Sequence, residues 1–290
     1  MISIIITSYK EPETIVKCIK SIVSQKIKHD YELIVAAPDR ETISAARKAS
    51  RKVRTIKDEG KGKPAALNMV LKKAKGNILV LTDGDVYLGK NSINYLLDYF
   101  KTKTVGAVCG RAISLNKRNS MLGYWSHLLT DAAHTERLKR YREKKFLVCT
   151  GYLYAVRKVF NKVPEKSLAD DAWISHKIWE YGYDIVYEPK AKVYVKYPPS
   201  FKDWIKQKRS SAGGAHQIEK DFKHNPKMRN LWTEMIYGPA KALSYARSPK
   251  ELLWSLLLFP SRLYLWGLTY YDYWTKKKFE DVWLRVDSTK

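Results

Sequence analysis

Cysteine is scarce in this chain: three in 290 residues, at positions 18, 109 and 149, each inside an apolar run. That scatter excludes a disulfide framework and a cysteine zinc site, and fits buried thiols in a reducing compartment. Acidic residues are outnumbered, 29 Asp and Glu against 54 Lys and Arg, which leaves a net charge of +25. Such an excess predicts attraction to polyanions: nucleic acid, an anionic membrane surface or phosphorylated substrates. A nucleic-acid reading finds no recognisable binding motif, and the aromatics cluster in apolar runs instead of alternating along a basic face. A secretory leader is not expected, because the apolar start at residues 2–6 is short and has no basic lead-in. Internal repeats and low-complexity linkers are absent too. A phosphate loop is lacking: after Gly60-Lys61-Gly62-Lys63, Pro64 stands where Ser or Thr is needed, and the upstream glycine spacing is wrong. What remains is a globular composition, 45% hydrophobic and 29% charged, long enough for one large domain with an appendage or for two domains.

The first 83 residues alternate strand and helix. Residues 3–7, Tyr31–Ala37 and 78–82 read as strands, and Val53–Lys57 as a short further one, third in chain order. Ile15, Cys18, Ile19, Ile22 and Val23 recur at helical spacing behind Pro12, and a weaker helix is expected over 43–49. Leu67, Val70, Leu71 and Ala74 mark a third helix, with Gly76 as its expected cap. This rhythm predicts a parallel sheet with right-handed crossovers. The polar tips after strands one, two and four, at 7–11, Asp39 and Asp83/Asp85, then converge on one edge.

Beyond residue 90 the rhythm changes. A helix around Ile93–Phe100 is followed by strands at 105–113, 146–149, 185–187 and 192–197. Helices are expected over Met121–Arg142, from Asp170 to Trp179 with a stop at Gly182, and over 201–209. Residues 252–271 are nearly all apolar or aromatic and are followed by three lysines. The length matches a membrane span, but Pro260, Ser261 and Arg262 at its centre fit two short interfacial helices broken at Pro260 better. The alternative is a hydrophobic helix pair packed on the main domain.

The chemistry centres on Asp83-Gly84-Asp85 at the end of the 78–82 strand. Alternate residues of an extended segment point the same way, so both carboxylates can face one ion. Two hard oxygen ligands suit Mg²⁺ or Mn²⁺ carrying a substrate phosphate; the plainer alternative is an Asp-Gly turn. Lys61 and Lys63 lie on a loop beside the same edge, where they could touch a diphosphate or simply be solvated. Of Asp170 and Asp171, one is expected to cap the helix that follows. The other could take a proton from an attacking hydroxyl. Gln207-Lys208-Arg209 could clamp a leaving diphosphate or form a solvated basic helix end, and His216 is an added candidate ligand.

Taken together these residues resemble the inverting family 2 glycosyltransferases of the GT-A fold, from about residue 2 to 214. The opening strand and loop at 4–11 look like the family's nucleotide-binding loop, which implies that Thr7, Tyr9 and Glu11 hold the base and ribose. Asp39 matches the acid that contacts the base. Gly62-Lys63-Pro64-Ala65-Ala66-Leu67-Asn68 is similar to the family's Gly-Lys-x-x-Ala-Leu-Asn segment. Thr82-Asp83-Gly84-Asp85 matches its Asp-x-Asp metal motif, Thr150-Gly151-Tyr152 its acceptor-side glycine loop, and Ala169-Asp170-Asp171 its Glu-Asp motif, which gives the base role to Asp171. One departure concerns the synthase branch: Ser210 and Ser211 follow Arg209 where the processive members carry Trp, which favours addition of a single sugar.

The resemblance implies an α/β, Rossmann-like GT-A fold with a mostly parallel central sheet and a C-terminal hydrophobic helical appendage. The expected division is a catalytic domain at 1–218, split into a nucleotide-sugar half (1–115) and an acceptor half (116–218), and a membrane-associating region at 219–290. The implied reaction is metal-dependent (Mn²⁺ or Mg²⁺), inverting transfer of one hexose, glucose or mannose type, from a UDP- or GDP-linked donor. The hydrophobic, basic tail points to a lipid-linked acceptor at the cytoplasmic membrane face, with the protein peripheral or monotopic. Rivals are a soluble saccharide acceptor, a nucleotidyltransferase and a nucleic-acid-binding protein.

Overall fold

A computed structural model describes residues 1–222, 226, 228, 231–275 and 286–289; within these, the side chains of 213, 215, 216, 219, 220, 231–234, 237, 273 and 287 are outside the description. The backbone follows the order β1 (Ile2–Thr7), α1 (Pro12–Val23), β2 (Tyr31–Ala37), α2 (Arg40–Ala49), β3 (Val53–Lys57), α3 (Lys63–Leu71), β4 (Ile78–Asp83), β5 (Val86–Leu88), α4 (Ser92–Leu97), β6 (Val105–Ser114), α5 (Met121–Arg142), β7 (Leu153–Arg157), α6 (Asp170–Glu180), β8 (Asp184–Val195), α7 (Phe201–Asp221), α8 (Leu231–Tyr245) and α9 (Pro249–Trp274). The eight strands form one sheet in the order β3-β2-β1-β4-β7-β6-β8-β5. β3, β2, β1 and β4 run parallel, as their alternation with helices predicts. β7 is antiparallel to both β4 and β6, and β8 runs parallel to β6. β4 and β6 therefore end on the same side of the sheet.

β1 is buried throughout and mostly isoleucine because both of its faces are covered. Ile2, Ile4 and Ile6 pack with Ile15, Cys18, Ile19 and Ile22 of α1 and with Ile93 and Leu96 of α4. Ile5 faces the other way, toward Leu67, Val70 and Leu71 of α3 and Ile174 and Ile178 of α6. Each such buried aliphatic side chain is worth about 1.5–3 kcal/mol, so the sheet edge is held by a core on both sides.

Several expectations are corrected. Residues 146–149 form no strand; Phe146, Leu147 and Cys149 are buried as an irregular segment under α5 and α6. The strand beside β4 is β7 instead. The two strands expected at 185–187 and 192–197 are one, β8, in which a register shift opposite Cys109 and Arg111 takes up the intervening residues. α3 ends at Leu71, so Gly76 is no cap; its Cα lies against the Ile2–Ser3 backbone, where no side chain fits. α7 continues twelve residues past the expected end and across position 218. Neither Asp170 nor Asp171 caps α6: Ala169 holds the cap position, and both acids lie in the first turn, where the helix dipole favours them. Finally, α9 passes through Pro260 unbroken. Proline costs one ladder bond there, and the Ser261 hydroxyl donates to the Leu257 carbonyl at 2.9 Å beside it.

α5, α7, α8 and α9 share a third cluster around Tyr124, Trp125, Leu128, Trp204 and Leu258. The Trp125 indole donates to the Trp254 carbonyl at 2.6 Å, and Tyr124 and Ser255 hydroxyls meet at 2.7 Å. Arg118 grips Glu251 with two hydrogen bonds of 2.6 and 2.9 Å. That pairing holds the Glu251 carboxyl down at about 2, against the small opposing effect of burial.

Candidate active site

The tips of β1, β2 and β4 meet as their topology requires. The Gly84 amide donates to the Thr7 carbonyl at 3.0 Å, and the Thr7 hydroxyl reaches Asp83 Oδ1 at 3.5 Å. Asp39 joins the loops: one oxygen accepts from the Thr42 amide and the other from the Lys10 amide, both at 2.8 Å. Burial opposes that charge, but these bonds outweigh it and hold the Asp39 carboxyl below the usual range. Ser8 donates to Glu11 at 2.6 Å, and a side chain at Gly84 would collide with both, so the backbone of the Asp-Gly-Asp turn lies flat on the β1 loop. Tyr9 and Pro38 both lie near Gly60.

Lys63, at the start of α3, is the hub of the site. Its ammonium lies 2.7 Å from Asp83 Oδ1, 3.8 Å from Asp170 Oδ2 and 3.5 Å from the Gly151 carbonyl. Burial works against the charge, but Asp170 and Asp83 outweigh it and hold the ammonium well above the usual lysine range. Asp83 is pushed up by burial, only partly countered by Lys63. Asp171 stands against Gly151 and is pushed up to about 6, first by burial and then by Asp170. A carboxylate with that value is an effective base near neutral pH. Asn68 fixes the approach of this segment: buried, it exchanges two 2.8 Å hydrogen bonds with the Val163 backbone, on the loop leading to Asp170. Asp83 at the tip of β4 and Asp170 in the first turn of α6 are thus linked through one lysine.

A model for "Glycosyltransferase like family 2" matches residues 1–214. The chain belongs to glycosyltransferase family 2. It is 24% identical over 237 residues to "Probable glycosyltransferase YdaM" of Bacillus subtilis, covering 76% of this chain and 56% of that protein. It is also 24% identical over 247 residues to a poly-beta-1,6-N-acetyl-D-glucosamine synthase of Staphylococcus epidermidis, covering 79% and 58%. The chain thus matches less than three fifths of the length of either relative. Among solved structures, a mannosyltransferase of Pyrobaculum calidifontis in complex with GDP-Man and Mn²⁺ superposes with a TM-score of 0.61 at 20% identity, over 93% of this chain and 80% of that one. S. aureus TarS 1-349 in complex with UDP-GlcNAc gives 0.52 at 15% identity, over 86% and 74%. The fold is GT-A.

Within this family 2 fold the donor set fits a divalent ion. Among the described residues no three His, Cys, Asp or Glu side chains converge as a closed metal cage. Two carboxylates on an open edge are what Mg²⁺ or Mn²⁺ uses when substrate phosphates supply further oxygens. Asp85 lies near Cys18, Tyr87 and Tyr152, whose ionisation burial, and then in part Asp85, drives up.

The remaining expected residues are less central. Lys61 is exposed and pairs with Glu59 at 2.6 Å. Gln207 buries its side-chain oxygen without a hydrogen bond among the described residues. Lys208 sits 5.7 Å over the Tyr197 ring, which packs edge-on to Tyr152 beside Gly151. Arg209 is bound by both guanidinium arms to Asp272 of α9, so it anchors the C-terminal helix. The His216 side chain lies outside the described residues. Sequence reading passed over Asp58, buried near the Gly60 turn with a 2.7 Å bond from the Gly60 amide; burial pushes its carboxyl up. The Asp-x-Gly turn after β3 was the available signal.

Proposed function

We propose that this chain is a metal-dependent, inverting transferase that moves one hexose from a nucleoside-diphosphate sugar to a lipid-linked acceptor at a membrane surface. The observation that carries it is the Lys63 ammonium, 2.7 Å from Asp83 and 3.8 Å from Asp170, with Asp171 next in the chain and against Gly151. Thr7, Tyr9, Glu11 and Asp39 would hold the nucleoside, and Asp83 and Asp85 the ion. That ion, when bound, supplies positive charge to the departing diphosphate. Lys63 adds a second cation facing the same phosphates. Asp171 takes the acceptor proton as the acceptor oxygen bonds to the anomeric carbon, and the bond from that carbon to the diphosphate breaks. Donor and metal in the complexes of the two structural neighbours, GDP-Man with Mn²⁺ and UDP-GlcNAc, support this donor class.

The membrane reading rests on α8 and α9. Ile236 is 65% and Trp274 76% exposed, and Leu253, Leu256, Leu263 and Tyr264 are about half exposed on the same helix as Lys250 and Arg262. An unpartnered apolar face with basic residues and Trp matches an interfacial helix on anionic lipid. No helix among the described residues is long and apolar enough to cross a membrane, which suits a helix lying in the interface.

The test is a hydrolysis panel of UDP- and GDP-linked sugars with Mn²⁺ or Mg²⁺. Release of nucleoside diphosphate is expected for one donor; release of pyrophosphate would instead indicate nucleotidyl transfer.

A further inference from the structure

Beneath the charged sheet edge lies a small cavity that the transfer chemistry leaves unused. It measures about 10 Å³, close to the least volume that holds one water molecule. Ile5, Leu67 and Leu81 stand on its apolar side, and Thr7, Lys63 and Asp170 on its polar side. The strand period accounts for this sorting. Thr7 follows Ile5 by two residues on β1, so it shares the sheet face that Ile5 turns toward α3 and α6. A purely apolar cavity stays dry, whereas one with two to four polar partners takes up water.

Each polar residue on the wall has hydrogen-bonding capacity to spare. Asp170 is only 8% exposed, and its Oδ2 is buried with no hydrogen bond among the described residues. The Lys63 ammonium stands 3.8 Å from that oxygen, too far for a direct hydrogen bond. Lys63 carries three N–H donors. Asp83 at 2.7 Å and the Gly151 carbonyl at 3.5 Å engage two of them, which leaves one. The Thr7 hydroxyl donates to Asp83 at 3.5 Å and keeps lone pairs with which to accept. A buried carboxylate oxygen without a donor is costly. A gap of this width between an ammonium and a carboxylate is one that a bridging water closes.

We propose that one water molecule occupies this cavity, accepting a hydrogen bond from Lys63 and donating to Asp170 Oδ2 and to the Thr7 hydroxyl. Three bonds are the usual number for a buried water. The water turns the long contact between Lys63 and Asp170 into a hydrogen-bonded bridge from α3 to the first turn of α6. It thereby holds the ammonium in place beside Asp83. The role in positioning Lys63 rests on the transferase reading; the occupancy of the cavity does not.

The experiment uses the full chain. A crystal structure of the wild type should show one density peak within hydrogen-bond distance of Lys63 Nζ, Asp170 Oδ2 and Thr7 Oγ1. Magnetic relaxation dispersion of solvent water should count one long-lived water fewer in Thr7→Val, which keeps the shape but loses the acceptor, and none fewer in Thr7→Ser. Leu67→Phe, which fills the cavity from its apolar side and removes no polar group, should lose the same water, and it serves where Thr7→Val does not fold. A dry cavity in the crystal, or the full count of waters in a folded Thr7→Val or Leu67→Phe, would overturn the site. For the positioning role, Leu67→Phe should lower kcat for donor hydrolysis about fivefold, as loss of one ordinary hydrogen bond predicts, with the donor KM unchanged. Unchanged kcat in a variant that has lost the water would refute that role. Absence of donor hydrolysis by the wild type would count against the transferase reading alone.

Discussion

Two regions of this molecule treat water in opposite ways. Around β1, β2 and β4 the apolar side chains are buried on both sheet faces, and what reaches the surface is a ring of carboxylates answered by one lysine. Along α8 and α9 the arrangement is reversed: leucines, Ile236 and Trp274 face outward, and the polar contacts of Arg118, Ser255 and Arg209 are turned inward to the domain. The first region is built to hold charge in fixed positions, where a misplaced group costs rate. On the proposed membrane reading the second adheres to an apolar phase, where position along the surface matters little. One chain joining the two suits a soluble, charged donor and an acceptor that resides in a membrane.

The sharpest way to break this contrast is at Asp171. Asp171→Asn should lower transfer about 10³-fold, as expected for loss of a general base, while equilibrium binding of the nucleotide sugar stays near wild type. Loss of binding together with turnover would mean that Asp171 serves the donor side instead.

At the opposite region, Leu253→Glu combined with Leu256→Glu should reduce co-sedimentation with anionic vesicles by more than about tenfold, since each buried leucine is worth about 1.5–3 kcal/mol. Donor hydrolysis in solution should be unaffected. Unchanged sedimentation would mean that this face is not the adhesive one.

A smaller effect sharpens the electrostatics of the charged region. The Asp171 carboxyl is pushed up to about 6, so kcat/KM should be flat above that pH and fall about tenfold for each unit below it. The sign for stability is opposite to that of an ordinary acid. A raised folded value stabilises the fold fully below the unfolded value of about 4 and loses that contribution as pH rises through 6. Asp171→Asn should therefore remove both the rate limb and this stability slope.

The smallest expected effect lies where the two regions join. Arg118→Ala should loosen α9 by about 1 kcal/mol, read as faster amide exchange in α8 and α9 with the sheet unchanged. Because the Glu251 carboxyl is held at about 2, its contribution is present above the unfolded value near 4 and is lost as pH falls toward 2.

How legible each region was follows from the range of its interactions. β1 to β4 and α1 to α3 could be read because β1, β2 and β4 are mostly apolar stretches, short β3 falls in the same alternation, and the helices repeat their apolar faces locally. Asp83, Asp171 and Lys63 stood out as candidates because they sit at strand and helix ends, and the fold brings Asp83 and Lys63 together. The mixed half was harder. Residues 146–149 are as apolar as a strand, yet their burial comes from packing under α5 and α6, and only pairing with β4 and β6 selects β7 as the ladder. Three-residue β5 is defined by β8, over a hundred residues away. Arg209 looked like a ligand because its partner, Asp272, lies 63 residues further along.

The central claim is that Asp83 and Asp85 hold a divalent ion that binds the donor diphosphate. Its most direct test is Mn²⁺ binding followed by electron paramagnetic resonance with and without nucleoside diphosphate. The wild type should take up one Mn²⁺, tightened by the nucleotide, and Asp85→Ala should lose that uptake while remaining folded. Undiminished, nucleotide-coupled Mn²⁺ binding in folded Asp85→Ala would contradict the account.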